Sequence, residues 1–314
     1  MFSFIARRLW YFIPTALGAV TLVFIIVRLA PGDVVSTMLQ DFQADPEMIA
    51  LLRHQYGLDE PLYYQYLKMI WDIFRGDLGV SMLQRQPVLA MILPHVRPTV
   101  MLAFSGLLIA MVIGVPAGIV SALRRNTRVD YTVMSLATFW LSAPGFWLGI
   151  FLIYVFSYKL GWFPMYGSGM EGTLGMQLRS LILPAIAIGA RSAAVYARIS
   201  RSSALDIFRQ DYVRTARAKG LAERVVVYKH VLRNAAIPII TVIGMDLAFL
   251  LCGTVVIENV FSRAGLGTLM VNAIANRDYP VVQGTILVFA VMIIAINLLM
   301  DVVYRLLDPR IKID

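Results

Sequence analysis

The sequence contains few charged residues, although the charges it has are mostly basic. Only 15% of its 314 residues are charged, whereas 59% are hydrophobic, and the mean hydropathy is +0.73. Soluble domains average about 25% charged residues, and a single soluble core needs a more polar exterior than this chain can supply. The composition therefore excludes a soluble enzyme, a disordered chain and a nucleic-acid-binding domain.

Cysteine and histidine are also scarce. The single cysteine, Cys252, excludes a disulfide within the chain. The three histidines, His54, His95 and His230, fall in different predicted loops, so we expect no metal site formed by them. The chain has no Walker A phosphate loop and no visible nucleophile–base arrangement. We therefore predict that this chain is not an enzyme and binds no metal or cofactor itself.

Long hydrophobic runs are the main feature that is present. Six apolar stretches are long enough to cross a bilayer as helices, which takes about 20 residues each, and the alternation typical of membrane barrels is absent. The sequence thus predicts an all-α membrane protein with six transmembrane helices. The predicted spans are Leu9–Ala30, Thr99–Leu123, Val133–Ser157, Leu181–Ser202, Ile237–Ile257 and Gln283–Leu306.

The basic residues predict the orientation of these spans. If both termini are cytoplasmic, the whole basic excess of this +9 chain falls on the cytoplasmic side, as the positive-inside rule requires. Nine lysines and arginines lie between residues 198 and 236 alone. The net charge is therefore explained by membrane topology and does not indicate a nucleic-acid partner.

Two of the predicted connections are long. The outer one, residues 31–98, contains a helix-like stretch with an aromatic face between Pro61 and Gly76. Such a face is typical of a helix lying on lipid headgroups, and it also suits docking of an extracytoplasmic binding protein; both can hold at once. The candidate docking residues are Tyr63, Tyr64, Tyr66, Trp71 and Phe74.

The second long connection is cytoplasmic and covers about residues 203–236. We expect two short helices flanking Gly220, which can end the first with a left-handed cap, and we expect Pro238 to open the fifth span. A basic, helical loop of this length is either an amphipathic segment that lies on anionic lipid or an element to which a cytoplasmic partner binds.

Polar residues inside the spans are the remaining candidates for function, and small residues there are candidates for helix packing. Arg191 and Asp246 fall near the middle of the fourth and fifth spans, where a charge marks function by default. They form either a structural ion pair or part of the polar wall of a translocation path. Gly114 and Gly118 form a small-xxx-small pattern, which predicts close approach of a neighbouring helix.

Short motifs along the whole chain carry a family resemblance. In their order, they resemble the transmembrane permease subunits of bacterial ATP-binding-cassette importers, in the branch for dipeptides, oligopeptides, nickel and glutathione. The motif segments are Arg28–Asp33, Tyr56–Pro61, Gly76–Ser81, Pro144–Gly149, Leu160–Pro164, Asp211–Gly220, Glu258–Phe261, Asn276–Pro280 and Leu307–Arg310.

The cytoplasmic motif of this family departs from its general pattern here. Gly220 and Ala216 fit that pattern, whereas Arg214 and Thr215 stand in place of its glutamate and first alanine, and Arg233 in place of its loop proline. The resemblance implies a loop that couples to an ATPase. Its implied residues are Asp211, Tyr212, Arg214, Thr215, Ala216, Arg217, Lys219, Gly220 and Leu221.

The resemblance also implies an assembly and a domain division. The fold would be the type I importer permease, with a first helix and periplasmic segment in 1–98, a transmembrane domain in 95–306 and a cytoplasmic tail in 307–314. The chain would pair with a second, similar permease in the bacterial inner membrane. Two ATPase subunits would hold ATP and magnesium, and a binding protein would deliver a peptide. Nickel chelates, glutathione and sugars are alternative cargoes, and a standalone secondary transporter is a remote alternative.

Overall fold

The computed structural model describes residues 2–29, 35, 46–167 and 172–307. Within these residues the chain is helical apart from turns and one isolated bridge between Val80 and Pro87, which confirms the all-α class. The helices are α1 Phe2–Leu29, α2 Pro46–Gln55, α3 Leu62–Phe74, α4 Val88–Leu123, α5 Arg128–Ser142, α6 Gly145–Lys159, α7 Leu174–Phe208, α8 Asp211–Ala218, α9 Glu223–Val260, α10 Leu266–Ala275 and α11 Tyr279–Leu307.

The helices belong to two compact units. Of the described residues, the first unit comprises 2–29, 35, 46–98 and 264–298, and the second comprises 99–167, 172–263 and 299–307. Among the described residues, α4, α7, α9 and α11 are each long and apolar enough to cross a membrane, and α5 with α6 qualifies as one broken span. The first predicted span falls on α1, whose apolar part, Ile13–Leu29, is shorter than these candidate spans. Six crossings and two cytoplasmic termini stay predictions, and residues 308–314 of the predicted tail lie outside the described part.

The third predicted span is not one straight helix. α5 ends at Ser142 and α6 begins at Gly145, and their axes differ by 103°. Ala143 is extended, with ψ 129°, because the ring of Pro144 disfavours a helical conformation in the residue before it. The prediction of a continuous helix over Val133–Ser157 was wrong at this point.

The fifth predicted span begins earlier than expected. We predicted a separate short helix after Gly220 and a helix start at Pro238, but α9 runs unbroken from Glu223 and contains Pro238 in its interior. A π-helical stretch, Val226–Leu232, precedes the proline. Its buried residues, Val226, Val227 and Val231, follow the wider spacing of a π-helix.

Close packing of α4 on α7 confirms the interpretation of the small-residue pattern. A β-carbon at Gly114 would overlap the carbonyl of Ala193, and one at Gly118 would overlap the carbonyl of Ala197. Only glycine allows the two backbones to approach this closely. α7 is also the most buried of the long helices and packs against α5, α6 and α9, so it forms the centre of the second unit.

The first unit is held by polar contacts around Asp278, at the start of α11. The Asp278 carboxylate, which is buried, accepts hydrogen bonds from the Ser81 hydroxyl and from the Met82 amide, at 2.5 and 3.1 Å. The Tyr56 hydroxyl donates to the Met82 carbonyl at 2.9 Å. Three of the family motif segments, which are distant in sequence, therefore meet at one place.

Candidate functional site

The candidate coupling element is α8 with the turn that follows it. Val213 and Ala216, three residues apart on one face of this eight-residue helix, are buried against Val226 of α9. Ile207 and Phe208, at the end of α7, complete this small apolar cluster. α8 is therefore seated on the ends of two long helices.

A left-handed glycine ends α8, as the sequence predicts. Gly220 has φ +78°, its amide donates to the Arg217 carbonyl at 2.9 Å, and the Leu221 amide donates to the Ala216 carbonyl at 3.4 Å. This pair of bonds is a Schellman motif. A β-carbon at Gly220 would meet no atom within 4 Å, so backbone conformation alone requires glycine here.

The outward face of α8 is polar and mostly basic. Tyr212 and Leu221 are 44% and 41% exposed and border this face. Arg217 bridges to Glu223 of α9, with its two nitrogens 2.6 and 3.1 Å from the carboxylate oxygens, and this contact raises the pKa of Arg217. The remaining exposed side chains of the predicted coupling set are Asp211, Arg214, Thr215 and Lys219. Of that set only Ala216 is buried.

A buried ion pair near the end of α7, the end against which α8 packs, was not predicted. Arg201 of α7 donates two hydrogen bonds of 2.7 Å to the two oxygens of Asp130, which is 2% exposed. Ser121 of α4 and the Asn126 amide also donate to this carboxylate. The pair joins α4, α5 and α7. Its members are 71 residues apart, and sequence spacing gives no signal for such a pairing.

Arg191 and Asp246 contact different partners. Asp246 accepts a hydrogen bond of 2.8 Å from the buried Tyr196 hydroxyl, whereas the guanidinium of Arg191 lies 4.5 Å from the centre of the Phe249 ring. Among the described residues these two do not form an ion pair with each other. The geometry therefore does not show the structural pair that was one of the two alternatives.

The aromatic residues of α3 do not share one free face. Tyr63, Tyr64, Trp71 and Phe74 are 71%, 52%, 58% and 66% exposed. Tyr66 instead packs against α1: its hydroxyl hydrogen-bonds to Thr21 at 2.8 Å, and its ring meets the Phe24 ring edge-on at 5.4 Å. Tyr66 is thus a contact between helices, and the predicted docking face is reduced to the other four residues.

A second polar cluster lies at the other end of α9, within the family motif that begins at Glu258. Thr99 donates to the buried Glu258 carboxylate at 2.5 Å. The guanidinium of Arg263, also buried, donates to the Ser180 carbonyl at 3.0 Å. Burial lowers the pKa of Arg263, and the nearby Glu258 opposes that change. These contacts join α4 to the last turns of α9, and the segment that follows α9 to α7. The motif is visible in the sequence, but the contacts of Glu258 and Arg263 are not.

Chemically, the arrangement suits mechanical transmission and partner binding. In the described part of the chain, no group of three or more histidine, cysteine, aspartate or glutamate side chains could hold a metal ion.

Comparison with known proteins gives consistent matches over the whole chain. The family described as "Binding-protein-dependent transport system inner membrane component" matches residues 114–313, and a model for the N-terminal part of such membrane components matches residues 1–103. The di/tripeptide transport system permease protein DppB of Pseudomonas aeruginosa and the glutathione transport system permease protein GsiC of Escherichia coli K12 are each 42% identical, over 99% of both chains.

Solved structures show the same fold. A chain of the inward-facing MetNI methionine ABC transporter superposes with a TM-score of 0.60, covering 70% of this chain and 97% of that chain at 18% identity. A second crystal form of that transporter gives a TM-score of 0.57 at 20% identity. At these identities the likeness concerns the fold, which is that of an ABC transporter permease.

Proposed function

This chain belongs to the family of binding-protein-dependent transport system inner membrane components, and from that premise we propose that it imports short peptides with energy supplied by separate ATPase subunits. As a member of the family it is a multi-pass permease subunit of an ABC importer in the bacterial inner membrane. The substrate class rests on relatives named for di/tripeptide and for glutathione transport, which are equally similar to this chain.

The proposal for energy coupling rests on the packing of α8 against α7 and α9. Val213 and Ala216 fix the helix to the ends of α7 and α9, and the basic side chains of Arg214 and Lys219 stay exposed. A partner that moves α8 would therefore move two long helices with it, because packed elements shift as rigid bodies between discrete arrangements. We assign the coupling role to α8 and its Gly220 cap.

The proposed assembly places solute passage and ATP hydrolysis on different chains. This chain pairs with a second, homologous permease, two ATPase subunits dock on the face of α8 and hold the ATP and magnesium, and a binding protein delivers the solute from outside. The permease binds no nucleotide itself, which fits the absence of a Walker A sequence. Tyr63, Tyr64, Trp71 and Phe74 remain candidates for contact with the binding protein or with lipid.

Co-purification tests the assembly. The tagged chain, expressed with its neighbouring transport genes and extracted in mild detergent, should bring down ATPase chains and a second permease. The double charge reversal Arg214→Glu with Lys219→Glu should reduce the co-purified ATPase at least tenfold while membrane insertion is unchanged. Arg125→Glu, an exposed basic residue in another loop, is the matched control.

Two outcomes would contradict the proposal. Full ATPase recovery and unimpaired uptake in the double variant would remove the coupling role from α8. Uptake by this chain in proteoliposomes without any ATPase subunit would instead favour a standalone secondary transporter.

A further inference from the structure

The second unit contains a cleft between α6, α7 and α9. Its volume is about 240 Å³. The wall is mostly apolar, and small residues such as Ala187 and Gly253 leave the space open. Arg191 lines this cleft and is its only charged lining residue among the described residues.

Arg191 is placed where a lipid-facing charge is costly. It lies in the middle of the 35-residue α7 and is exposed. An arginine at the centre of a membrane helix costs about 2.5–3.5 kcal/mol or more unless it faces protein or a water-filled cavity. The acid nearest the middle of α9, Asp246, is engaged by Tyr196. The aromatic ring of Phe249 is the contact that holds the guanidinium of Arg191 in place.

The cleft therefore presents a cation, held over a ring, in an apolar setting. A guanidinium offers a planar pair of N–H donors that matches a carboxylate in a bidentate arrangement, and such pairs strengthen when water is excluded. The wall also includes Gly145 and Phe146, the first residues of α6. The start of a helix favours negative charge, which agrees in sign with Arg191.

We propose that the Arg191 cleft binds the terminal carboxylate of the solute during its passage across the membrane. The proposal rests on the peptide-import function above and adds a chemical requirement to it. Phe249 acts as a positioning residue, which keeps the guanidinium pointed into the cleft. Asp246, bonded to Tyr196, is a structural residue and takes no part in solute binding.

Uptake by the complete transporter tests this proposal. Proteoliposomes containing the two permeases and the ATPases receive the binding protein, loaded to saturation with either a dipeptide or the same dipeptide carrying a C-terminal amide. Arg191→Gln should lower dipeptide uptake about tenfold or more, the loss expected for a charged hydrogen-bonded contact. Uptake of the amide by this variant should stay within twofold of the unmodified transporter.

Matched variants separate solute binding from structure. Arg198→Gln removes an exposed charge two turns further along α7, outside the cleft, and should leave both uptakes unchanged. Arg191→Lys keeps the charge but loses the bidentate geometry, so it should give an intermediate loss for the free carboxylate only. Basal ATP hydrolysis by the Arg198→Gln transporter should equal that of the unmodified transporter.

Other results would overturn the inference. An equal loss of dipeptide and amide uptake in Arg191→Gln would make Arg191 a structural or gating residue. Unchanged uptake of both solutes in Arg191→Gln would mean that Arg191 has no role in moving the solute across the membrane. If the unmodified transporter assembles and hydrolyses ATP but imports neither solute, the peptide assignment itself fails, and the carboxylate site fails with it.

Discussion

The loop around α8 and the outer segment around α3 are both long connections, but they are held in different ways. α8 is seated by three small apolar side chains, Val213, Ala216 and Val226, and one exposed ion pair. The outer segment also has an apolar cluster, around Met82 and Tyr279, but in addition it is fastened by hydrogen bonds to the buried carboxylate of Asp278. Apolar contacts tolerate small sliding movements, whereas a buried polar network holds one arrangement.

In the proposed mechanism, this difference separates a moving element from a fixed one. A helix that transmits force needs a firm seat and a free face, and α8 has both. In the same proposal the outer segment receives the binding protein, and such a surface needs a constant shape, to which the contacts of Ser81 and Met82 with Asp278 would contribute. Substitutions in each segment test whether the two are held in these different ways.

The largest effect is expected from placing a charge in the seat of α8. Ala216→Asp would bury a carboxylate between Val213 and Val226, at a cost of several kcal/mol for an unpaired charge. We expect α8 to leave its seat, so that uptake falls at least tenfold relative to ATP hydrolysis while insertion survives. Uptake per ATP hydrolysed in proteoliposomes measures this ratio. Ala218→Asp, on the exposed side, should behave normally.

The next effect concerns the polar anchor of the outer segment. Asp278→Ala removes the acceptor of two hydrogen bonds, each worth about 1.5–3 kcal/mol when one partner is charged. Hydrogen exchange in nanodiscs should show loss of protection around Ser81 and Met82, with coupling at α8 unchanged. Ser81→Ala removes one of the two bonds and should give about half the effect. Equal protection in all three proteins would mean that the apolar contacts suffice.

A smaller effect is expected at the end of α8. Gly220→Ala places an alanine at φ +78°, which costs about 1–2 kcal/mol. Amide exchange over residues 216–221 should accelerate about fivefold or more. Gly220→Asn should have a weaker effect, because asparagine tolerates this conformation better. Similar exchange rates for alanine and asparagine would point away from backbone conformation as the cause.

The smallest effect is expected from an exposed pair in the outer segment. His54 Nδ1 lies 2.7 Å from Asp59, and this hydrogen bond raises the pKa of His54 and lowers that of Asp59. Between the two pKa values His54 is protonated and Asp59 is ionised, so the ion pair is fully formed. The pair weakens when the pH rises above the raised pKa of His54 or falls below the lowered pKa of Asp59. NMR titration of His54 checks this, and Asp59→Asn should return its pKa toward 6.5. An unchanged titration would exclude the pair in solution.

Local patterns predicted local features well. The spacing of Gly114 and Gly118 predicted the close approach of another helix, though not which one, and Gly220 predicted the cap of α8, because each signal is carried by residues close in sequence. The sites that join distant segments were missed. Nothing in the sequence pairs Asp130 with Arg201, or Ser81 with Asp278, since such contacts are set by tertiary packing.

Helix boundaries failed for a related reason. Hydropathy places a span without resolving a bend, so Val133–Ser157 looked continuous although Pro144 begins a new helix. Pro238 looked like a helix start because proline is favoured there, but packing of the residues before it extends α9 back to Glu223. The candidate coupling residues were found from a motif, while the separate partners of Arg191 and Asp246 needed three-dimensional structure.

The π-helical stretch Val226–Leu232 has a consequence for how insertions and deletions would act on this protein. A π-turn accommodates one residue more than an α-turn, and each residue of an α-helix turns the chain by about 100°. Deleting a single residue from this stretch could restore regular α-helix without breaking α9. Because the wider turn has already taken up the extra residue, this deletion would leave Asp246 and Phe249 in nearly the same rotation relative to the seat of α8, whereas a deletion from a regular α-helical part of α9 would rotate them by about a quarter turn. The π-helical stretch is therefore the part of α9 where a change in chain length least alters which face lines the Arg191 cleft.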